Sequence, residues 1–522
     1  MKNKIILLLC ILCVSCPLAA QAQKGSASTD SDSFTERIMK ISDRSINLRG
    51  RLWDNPLMAF YRYGDMDIHT MEGRAWKKDL GRSGLAQTGN DDRAFRLNAG
   101  SRYSFTPNDG LMGSVEFEKG RTKGISWNAG GDFTLLYPYV IGLPDTSFID
   151  RERYSFMGAY LHKFGRWSAG GQFKYRAELT SRDRDPRPQN IVGDLDAKLF
   201  GGWAGDKYRL AVTASYRHYT QTSKVRWLGN VELNRVPYHM SGIGYHFHRD
   251  FIFHDEYANF VGDGYGCSLE FAPTDGDGLG ISAGYNLFSF DRELPLSNDM
   301  PITSMDVSRY WTEVSWIHKG RFVYGLRLLG ELEDRKGIER TINDGKDTPT
   351  SRFEVGEEFD GIQIKDIRAA AELHWGRERD RGLLRRYAIM PSAAYHSYKP
   401  DYEYNESSLE IVNLDARLGA EALMCLKDAW WMNVNLHGGY TSNLDAINKM
   451  GYPQLGFEAA FQTTEDNFKR LTDAYVAYGG GVRVDHRLNN GWGVYLDAEY
   501  EGRSYDAYGS TYRVTVSIGA TF

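Results

Sequence analysis

Tyr512-Arg513-Val514-Thr515-Val516-Ser517-Ile518-Gly519-Ala520-Thr521-Phe522 is the stretch from which the fold is read. One parity holds Tyr512, Val514, Val516, Ile518, Ala520 and Phe522, all apolar; the other holds Arg513, Thr515, Ser517, Gly519 and Thr521. Side chains of a strand point alternately to its two faces, so this segment predicts a strand with one greasy and one wet side. The same pattern recurs upstream. Residues 491–502 set Trp492, Val494, Leu496, Ala498 and Tyr500 against Asp497, Glu499 and Glu501. Residues 474–486 set Ala474, Val476, Tyr478, Gly480, Val482 and Val484 against Asp473, Arg483 and Asp485. At 207–218, Tyr208, Leu210, Val212, Ala214 and Tyr216 oppose Arg209, Thr213, Ser215 and Arg217. At 93–105, Phe95, Leu97, Ala99, Tyr103 and Phe105 oppose Arg96, Asn98, Arg102 and Ser104.

Fainter copies lie at about 111–119, 153–164, 167–178, 193–203, 265–272, 278–290, 307–318, 321–333, 362–375, 385–398, 413–425 and 430–441. A soluble sandwich alternates as well, but two features weigh against it. The wet faces carry charges of both signs, which a closed core buries only at heavy cost. The apolar faces begin or end in aromatics (Trp167, Trp203, Tyr310, Trp316, Trp375, Tyr387, Trp430, Trp492), where an interfacial girdle belongs. The expected fold is all-β, a single antiparallel transmembrane β-barrel.

Composition agrees once alternation is allowed for. Mean hydropathy is −0.49, and past the N-terminus no run of eighteen apolar residues exists to form a membrane helix. A barrel escapes both measures because it averages a lipid face with a wet one. Gly at 55 of 522 residues exceeds the usual ~7% and Pro at 15 is low, which suggests many strands with tight turns. A net charge of −5 gives no basic field for nucleic acid. Lys2 and Lys4, the apolar run Ile5 to Val14, and Ala20-Gln21-Ala22 before Gln23 read as a secretory signal peptide over 1–22. Lipoprotein processing at Cys16 is the alternative, weakened by Cys13 three residues before it. Cys267 and Cys425 sit in apolar runs and are expected as unpaired small hydrophobes.

Strand number follows from the linkers. The short connections at Lys163 to Arg166, Ala204 to Asp206, His318 to Gly320, Leu426 to Asp428 and His486 to Gly491 share one parity, that of periplasmic turns. The intervening ones, near 120–152, 179–192, 220–264, 334–361 and 442–473, are mostly long. Seventeen runs plus an ascending strand within 60–76 predict 18 strands, with 16 the alternative. Such a barrel leaves an aqueous channel unless it is plugged. Residues 23–59 are the expected periplasmic or plug segment, ahead of a barrel at 60–522. In it Ser33-Phe34-Thr35-Glu36 matches a capping box, with Phe34, Ile38 and Ile41 at helical spacing. The helix could lie against the periplasmic rim or plug the lumen. The basic stretch Arg49 to Asn55, with Trp53, could thread into an acidic lumen.

Candidate chemistry is sparse. His239, His246, His248 and His254 gather with Asp250, Asp255 and Glu256. Of these, His246, His248 and His254 are the candidate metal ligands, since imidazoles on one face suit a late transition metal. The plainer reading is an outer loop interleaved with Tyr245, Phe247, Phe251 and Phe253. Asp275-Gly276-Asp277-Gly278 lacks the distal Glu of a calcium loop and reads as a turn. No phosphate loop or zincin helix is visible, so neither enzyme activity nor a cofactor is expected. The lumen-facing parity offers Arg327, Glu331, Arg368, Glu372, Asp415, Arg417 and Glu421. These would line a channel selective for polar solutes, or seal the lumen by mutual ion pairs.

The last strand, with Tyr512, Val514, Val516, Ile518 and Phe522, resembles the terminal signal of bacterial outer-membrane barrels. Together with Leu18-Ala19-Ala20-Gln21-Ala22-Gln23, the Tyr/Trp-rich strands and Trp53-Asp54-Asn55-Pro56, it resembles a Bacteroidota-type outer-membrane β-barrel family without established activity. The resemblance implies residence among outer-membrane lipids, insertion by the barrel-assembly machinery, and work beside a TonB-dependent receptor or surface lipoprotein. The chain is short for such a receptor, and no separate plug domain is seen. Two functions are expected: a channel or accessory in uptake of a small polar solute, or a closed scaffold that binds a partner protein through its long loops. A barrel enzyme is a weak third.

Overall fold

The computed structural model describes residues 30–64, 66–227, 237–246, 257–295, 299–343, 354–427, 429–453 and 458–522. Eighteen antiparallel strands form one sheet that closes on itself. In chain order they are β1 Ile68–Asp79, β2 Asp91–Ser104, β3 Asp109–Ile125, β4 Ser147–Phe164, β5 Trp167–Ser181 and β6 Arg187–Ala204. Next come β7 Tyr208–Arg226, β8 Tyr257–Pro273, β9 Gly278–Leu294, β10 Met300–Lys319, β11 Val323–Asn343 and β12 Glu354–Glu378. The last six are β13 Leu384–Tyr402, β14 Ser407–Lys427, β15 Trp430–Lys449, β16 Tyr475–Arg487, β17 Gly493–Tyr505 and β18 Gly509–Thr521. Each pairs with its chain neighbours, and β18 returns to β1 with Met71 opposite Ala520 and Gly73 opposite Ile518. The expected count of eighteen is met. The first strand starts at Ile68, because Asn55 and Pro56 begin a helix just before it.

The outer surface is that of a membrane barrel. Leu199 is 73% exposed and Ile518 66%, which only a lipid surround makes favourable. At the end with the shorter turns, Phe105, Phe164, Trp167, Tyr208, Trp316, Tyr324, Trp375 and Trp430 face outward as one aromatic ring. About eight residues further along their strands a second ring holds Tyr175, Tyr216, Tyr265, Tyr310, Tyr395, Tyr440, Tyr478 and Tyr500. Eight residues are about 26 Å along the strand and, at a tilt of about 40°, about 20 Å along the membrane normal, approaching the height of an apolar band between two interfaces. Leu210, Val212, Leu269, Leu436 and Leu496 lie between the rings. The chain is therefore an outer-membrane-type β-barrel. Among the described residues no helix is long and apolar enough to cross a membrane. Cys267 and Cys425 are not joined in a disulfide.

Both ends of the lumen are occupied by the chain itself. At the end with the shorter turns, residues 30–64 run around the inner wall as a belt. Helix α1 (Asp30–Ile41) starts three residues before the capping-box Ser33 and presses Phe34 and Ile38 on the inward-facing Leu423 and Trp431. Two 3-10 turns follow, Arg44–Arg49 and Arg51–Asp54, and then α2 (Pro56–Tyr61). Asn55 caps α2: its Oδ1 accepts from the backbone N–H of Leu57 at 2.9 Å and of Met58 at 3.2 Å, and Pro56 stands where a first-turn N–H would be idle.

At the outer end, residues 127–143 fold inward. Ile141–Gly142 pairs with Tyr238–Gly242, which pairs with Tyr245–His246. This insert and the upper strands share one apolar core, with Leu136, Tyr139, Val140, Ile243, Phe260, Ile362 and Tyr402 almost fully buried. A helix over the mouth, α3 (Glu458–Leu471), adds Ala460 and Phe468 to that core. It is tied to the first outer loop by Asn467 to Gln87 (2.6 Å) and by Arg470 to the carbonyl of Gly84 (2.8 Å).

Candidate functional site

The belt is held by polar groups that find their partners on the wall. Arg37 donates to the carbonyl of Gly491 at 2.6 Å. Arg386 of β13 donates to the carbonyls of Met39 (3.0 Å) and Ser42. Arg49 reaches the carbonyls of Gly276 (3.1 Å) and Gly278 (2.7 Å) in the Asp275-Gly276-Asp277-Gly278 turn. Burial pulls its guanidinium down to about 10, against the opposing pull of Asp277, Asp275 and Glu313. Arg51 pairs with Glu331, and its backbone N–H donates to Glu313 at 3.1 Å. Asn55 donates to Thr213 at 2.7 Å and to Glu270, and Arg102 of β2 gathers the carbonyls of Phe60, Gly64 and Met66. The belt thus touches the wall from β17 through β13, β10 and β7 to β2. Where its apolar side chains dock, the wall is bare: a Cβ at Gly325 would overlap Leu48, and one at Gly202 would overlap Leu57.

The outer insert is seated in the same manner. Arg335 of β11 donates to the carbonyls of Thr134, Leu135 and Tyr137. Arg292 donates to the carbonyl of Met240 at 2.9 Å, and Glu339 accepts from Tyr402 at 3.0 Å and from Tyr139 at 3.4 Å. Burial raises the Tyr137 hydroxyl to about 12 and the Tyr139 hydroxyl well above its ordinary value, and Tyr139 donates to Glu339 as a neutral phenol.

Between belt and insert the lumen has two unlike walls. Across β2–β7 the charges form a continuous ladder. Glu118 holds Arg96 (2.6 Å) and Arg151 (2.7 Å), and Glu178 holds Arg153 (2.7 Å) and Arg176 (3.1 Å). Arg176 also bonds Asp132 of the insert (2.6 Å) and Asp194 (3.1 Å), and Asp194 bonds Arg217 (2.8 Å). Glu118 and Glu178 are almost fully buried, so this half is sealed by mutual pairing. Across β12–β17 several lumen-facing charges stand in solvent, although Arg386, Glu421 and Asp485 at the belt end are buried: the Arg368 side chain is 53% exposed, that of Arg417 42%, and Glu499 and Glu501 are exposed.

The sequence candidates divide between these environments. Arg327, Glu372, Asp415 and Arg417 line a cavity of about 410 Å³ together with His396 and Thr441. Arg327 bonds Glu313 at 2.7 Å and approaches Glu372 at 3.5 Å; Arg417 is paired with Asp415 at 2.8 Å and Arg368 with Asp366 at 2.9 Å. Glu331 takes Arg309 (3.2 Å) as well as Arg51, and Glu421 is buried against Arg386 at 3.3 Å. His246 is buried in the outer insert, edge-on to Tyr238, while His248 and His254 lie outside the described residues. Among the described residues no three His, Cys, Asp or Glu side chains gather to hold a metal.

A second cavity, of about 300 Å³, has the belt residues Arg51, Asp54 and Asn55 as its floor, with Ser215, Asn286 and Trp311 on its walls. Sequence reasoning passed over Trp311. The signal was there: it is an aromatic residue on the wet parity of β10, opposite to Tyr310 and Trp316.

Residues 75–522 match the sequence model of a family described only as a family of unknown function, DUF6850. No protein of curated function matches the chain. Among solved structures, it is similar to BauA, the ferric preacinetobactin receptor of Acinetobacter baumannii. That match has 9% identity and a TM-score of 0.37, over 87% of this chain and 80% of that one. The outer membrane transporter YddB of Escherichia coli matches at 7% identity and a TM-score of 0.35, over 86% and 80%. A bacterial polysaccharide outer membrane secretin matches at 11% and 0.35, over 88% and 98%. Likeness at this level is one of barrel outline.

Proposed function

The chain belongs to this family of unknown function, and from the geometry of its own lumen we propose a barrel closed at rest that admits, or helps to admit, a small polar solute across the outer membrane. One observation carries the reading: the lumen retains a solvated, charged wall on β12–β17 while β2–β7 is sealed by ion pairs. A barrel that served only as a scaffold gains nothing from unsealed charge, which is best compensated by ion pairing or by water. Paired charges of both signs beside water make local transverse fields suited to polar solutes. Belt and outer insert close the pathway in series, so both must give way for a solute to pass.

Single-channel recording in planar bilayers tests this. The intact chain is expected to be silent or nearly so, and deletion of residues 24–55 combined with deletion of 127–143 is expected to give sustained conductance. No conductance after that deletion overturns the reading.

The packed outer cap favours a second reading, a closed receptor whose loops bind a surface lipoprotein or a TonB-dependent receptor. Trimming residues 228–236 or 344–353, which lie between strands, would then remove a co-purifying partner. An unchanged partner set counts against it.

A further inference from the structure

The cavity of about 410 Å³ on the solvated wall lies between the two closures. At one end Arg327 abuts Gly50 of the belt; at the other Asn413 donates at 3.2 Å to the carbonyl of Leu471, the last residue of α3. Its floor is set by register. Across β11 to β14 one row runs Arg327, Glu372, Ser392, Arg417, and the next runs Leu329, Ala370, Ala394, Asp415. Both rows face the lumen, since Leu328, Leu373, Tyr395 and Leu418 on the opposite parity are exposed to lipid. Ser392, Ala370 and Ala394 are too short to fill the space they face. They leave a hollow with Glu372 on one side and Arg417 on the other.

Five titratable charged or imidazole side chains line this cavity, and three of them are spoken for. Arg327 gives its Nε to Glu313 at 2.7 Å, His396 is bonded to Asp366 at 3.0 Å, and Asp415 accepts from Arg417 on both oxygens and from Thr441 at 2.7 Å. Glu372 is different. Its side chain is 32% exposed, it accepts no hydrogen bond among the described residues, and the guanidinium it faces, that of Arg327, is 3.5 Å away. Arg417 spends only Nε and Nη2 on Asp415, which leaves its Nη1 edge without an acceptor among the described residues. The hollow therefore offers one carboxylate with open acceptor sites and one guanidinium with open donors. A net anion at Arg417 would meet Glu372 and Asp415, and a net cation at Glu372 would meet Arg327 and Arg417. A molecule carrying both charges satisfies both groups with charge-assisted hydrogen bonds and displaces neither existing pair. We propose that this cavity binds a small zwitterion of dipeptide length, its ammonium on Glu372 and its carboxylate on Arg417. Length follows from the strands. Two strand spacings set the Glu372 and Arg417 backbones about 10 Å apart, so with a contact of about 2.8 Å at each end the ligand's charges stand at least about 4 Å apart. The gap is wider still, because Glu372 faces Arg327 and the Arg417 chain leans over Gly439, where a Cβ would come 2.6 Å from its Cγ. One extended residue spans about 3.5 Å and two about 7 Å. The proposal rests on the reading of the lumen as a solute chamber, and adds the class of solute.

The test is saturation-transfer NMR on the purified full chain in detergent, incubated overnight with each probe. The probes are alanylalanine, its N-acetyl form, its C-terminal amide, the form blocked at both ends, and alanine. Alanylalanine is expected to receive transfer at its methyl protons. Each single block should weaken binding about tenfold, the loss of one charged contact, and alanine should bind more weakly than the dipeptide. In Glu372→Gln the free and acetylated dipeptides should bind alike, and in Arg417→Gln the free dipeptide and its amide should do so. A heat-modifiable band on gels confirms that each variant is folded. Four results overturn the proposal: no transfer to alanylalanine, a blocked form bound as tightly as the free one, alanine bound more tightly than the dipeptide, or discrimination unchanged in either variant. Conductance in the bilayer recording without dipeptide binding removes this ligand and keeps the channel. Dipeptide binding without conductance removes passage and keeps the site.

Discussion

Glu118 sits almost fully buried between two guanidiniums, Arg96 at 2.6 Å and Arg151 at 2.7 Å. Removing its carboxylate in Glu118→Ala takes the buried counter-charge from both guanidiniums and leaves only the longer contacts of Arg96 to Glu116 (3.4 Å) and Arg151 to Asp92 (3.5 Å). Breaking a buried pair in this way costs about 3–5 kcal/mol. The expected outcome is a lower urea midpoint for loss of the heat-modifiable band, with a smaller drop in Glu118→Gln, which keeps one acceptor. Gly325 gives a second prediction. Valine there would overlap Leu48 of the belt, and overpacking of a fitted contact costs about 1–3 kcal/mol. Faster protease cleavage within residues 30–64, with the strands still resistant, is the expected readout. The abundance of glycine suggested tight turns, and some glycines do serve there, as Gly165 and Gly491 with positive φ show. Gly325, Gly202 and Gly284 lie within strands instead, where a distant side chain docks. Their reason was illegible because the docking residue lies far away in sequence.

At the scale of elements, the helix at the start of the belt was legible and its place was not. The spacing of Phe34 and Ile38 marked an apolar stripe; whether it met the rim or the lumen depended on Leu423 and Trp431, which become neighbours only after closure. The 3-10 turns from Arg44 to Asp54 carry no periodicity to read. Arg386 is the fastening of this element, donating to Met39 and Ser42 while holding Glu421. In Arg386→Ala the belt is expected to detach at its N-terminal end, exposing residues 30–45 to protease, while the aromatic rings and strand pairing persist. Intact-protein mass spectrometry of the digest checks this: fragments confined to the belt support the fastening role, and cleavage across the strands opposes it. The outer loops show the same limit. Their expected spans ran too long, since the strands continue into them and only residues 182–186 separate β5 from β6, and the inward fold of residues 127–143 comes from Arg335, Arg292 and Glu339, which sit on strands far along the chain.

For the whole molecule the decisive joint is the seam between β1 and β18. The backbones of His69 and Phe522 exchange hydrogen bonds at 3.0 and 3.1 Å, and the Phe522 ring stacks on Trp492 (4.4 Å) and His69 (5.2 Å). A barrel has no free edge only while this joint holds. Phe522→Ala is therefore expected to lower the folded, heat-modifiable fraction several-fold in the membrane, and Phe522→Tyr to restore it. Equal folded fractions in all three would show that the seam closes without the ring. Alternation along each strand, the two aromatic rings, the even count of strands and the short turns at one end were determined by the sequence itself. Each is set by residues within a few positions of one another, acting through the period-two geometry of a strand against lipid. Whether the lumen is open, which charges seal and which stay wet, and where the belt lies were decided only by tertiary structure. Those depend on which strands become neighbours across a closed sheet and on which distant segments fold into the space it encloses, and no local pattern encodes either.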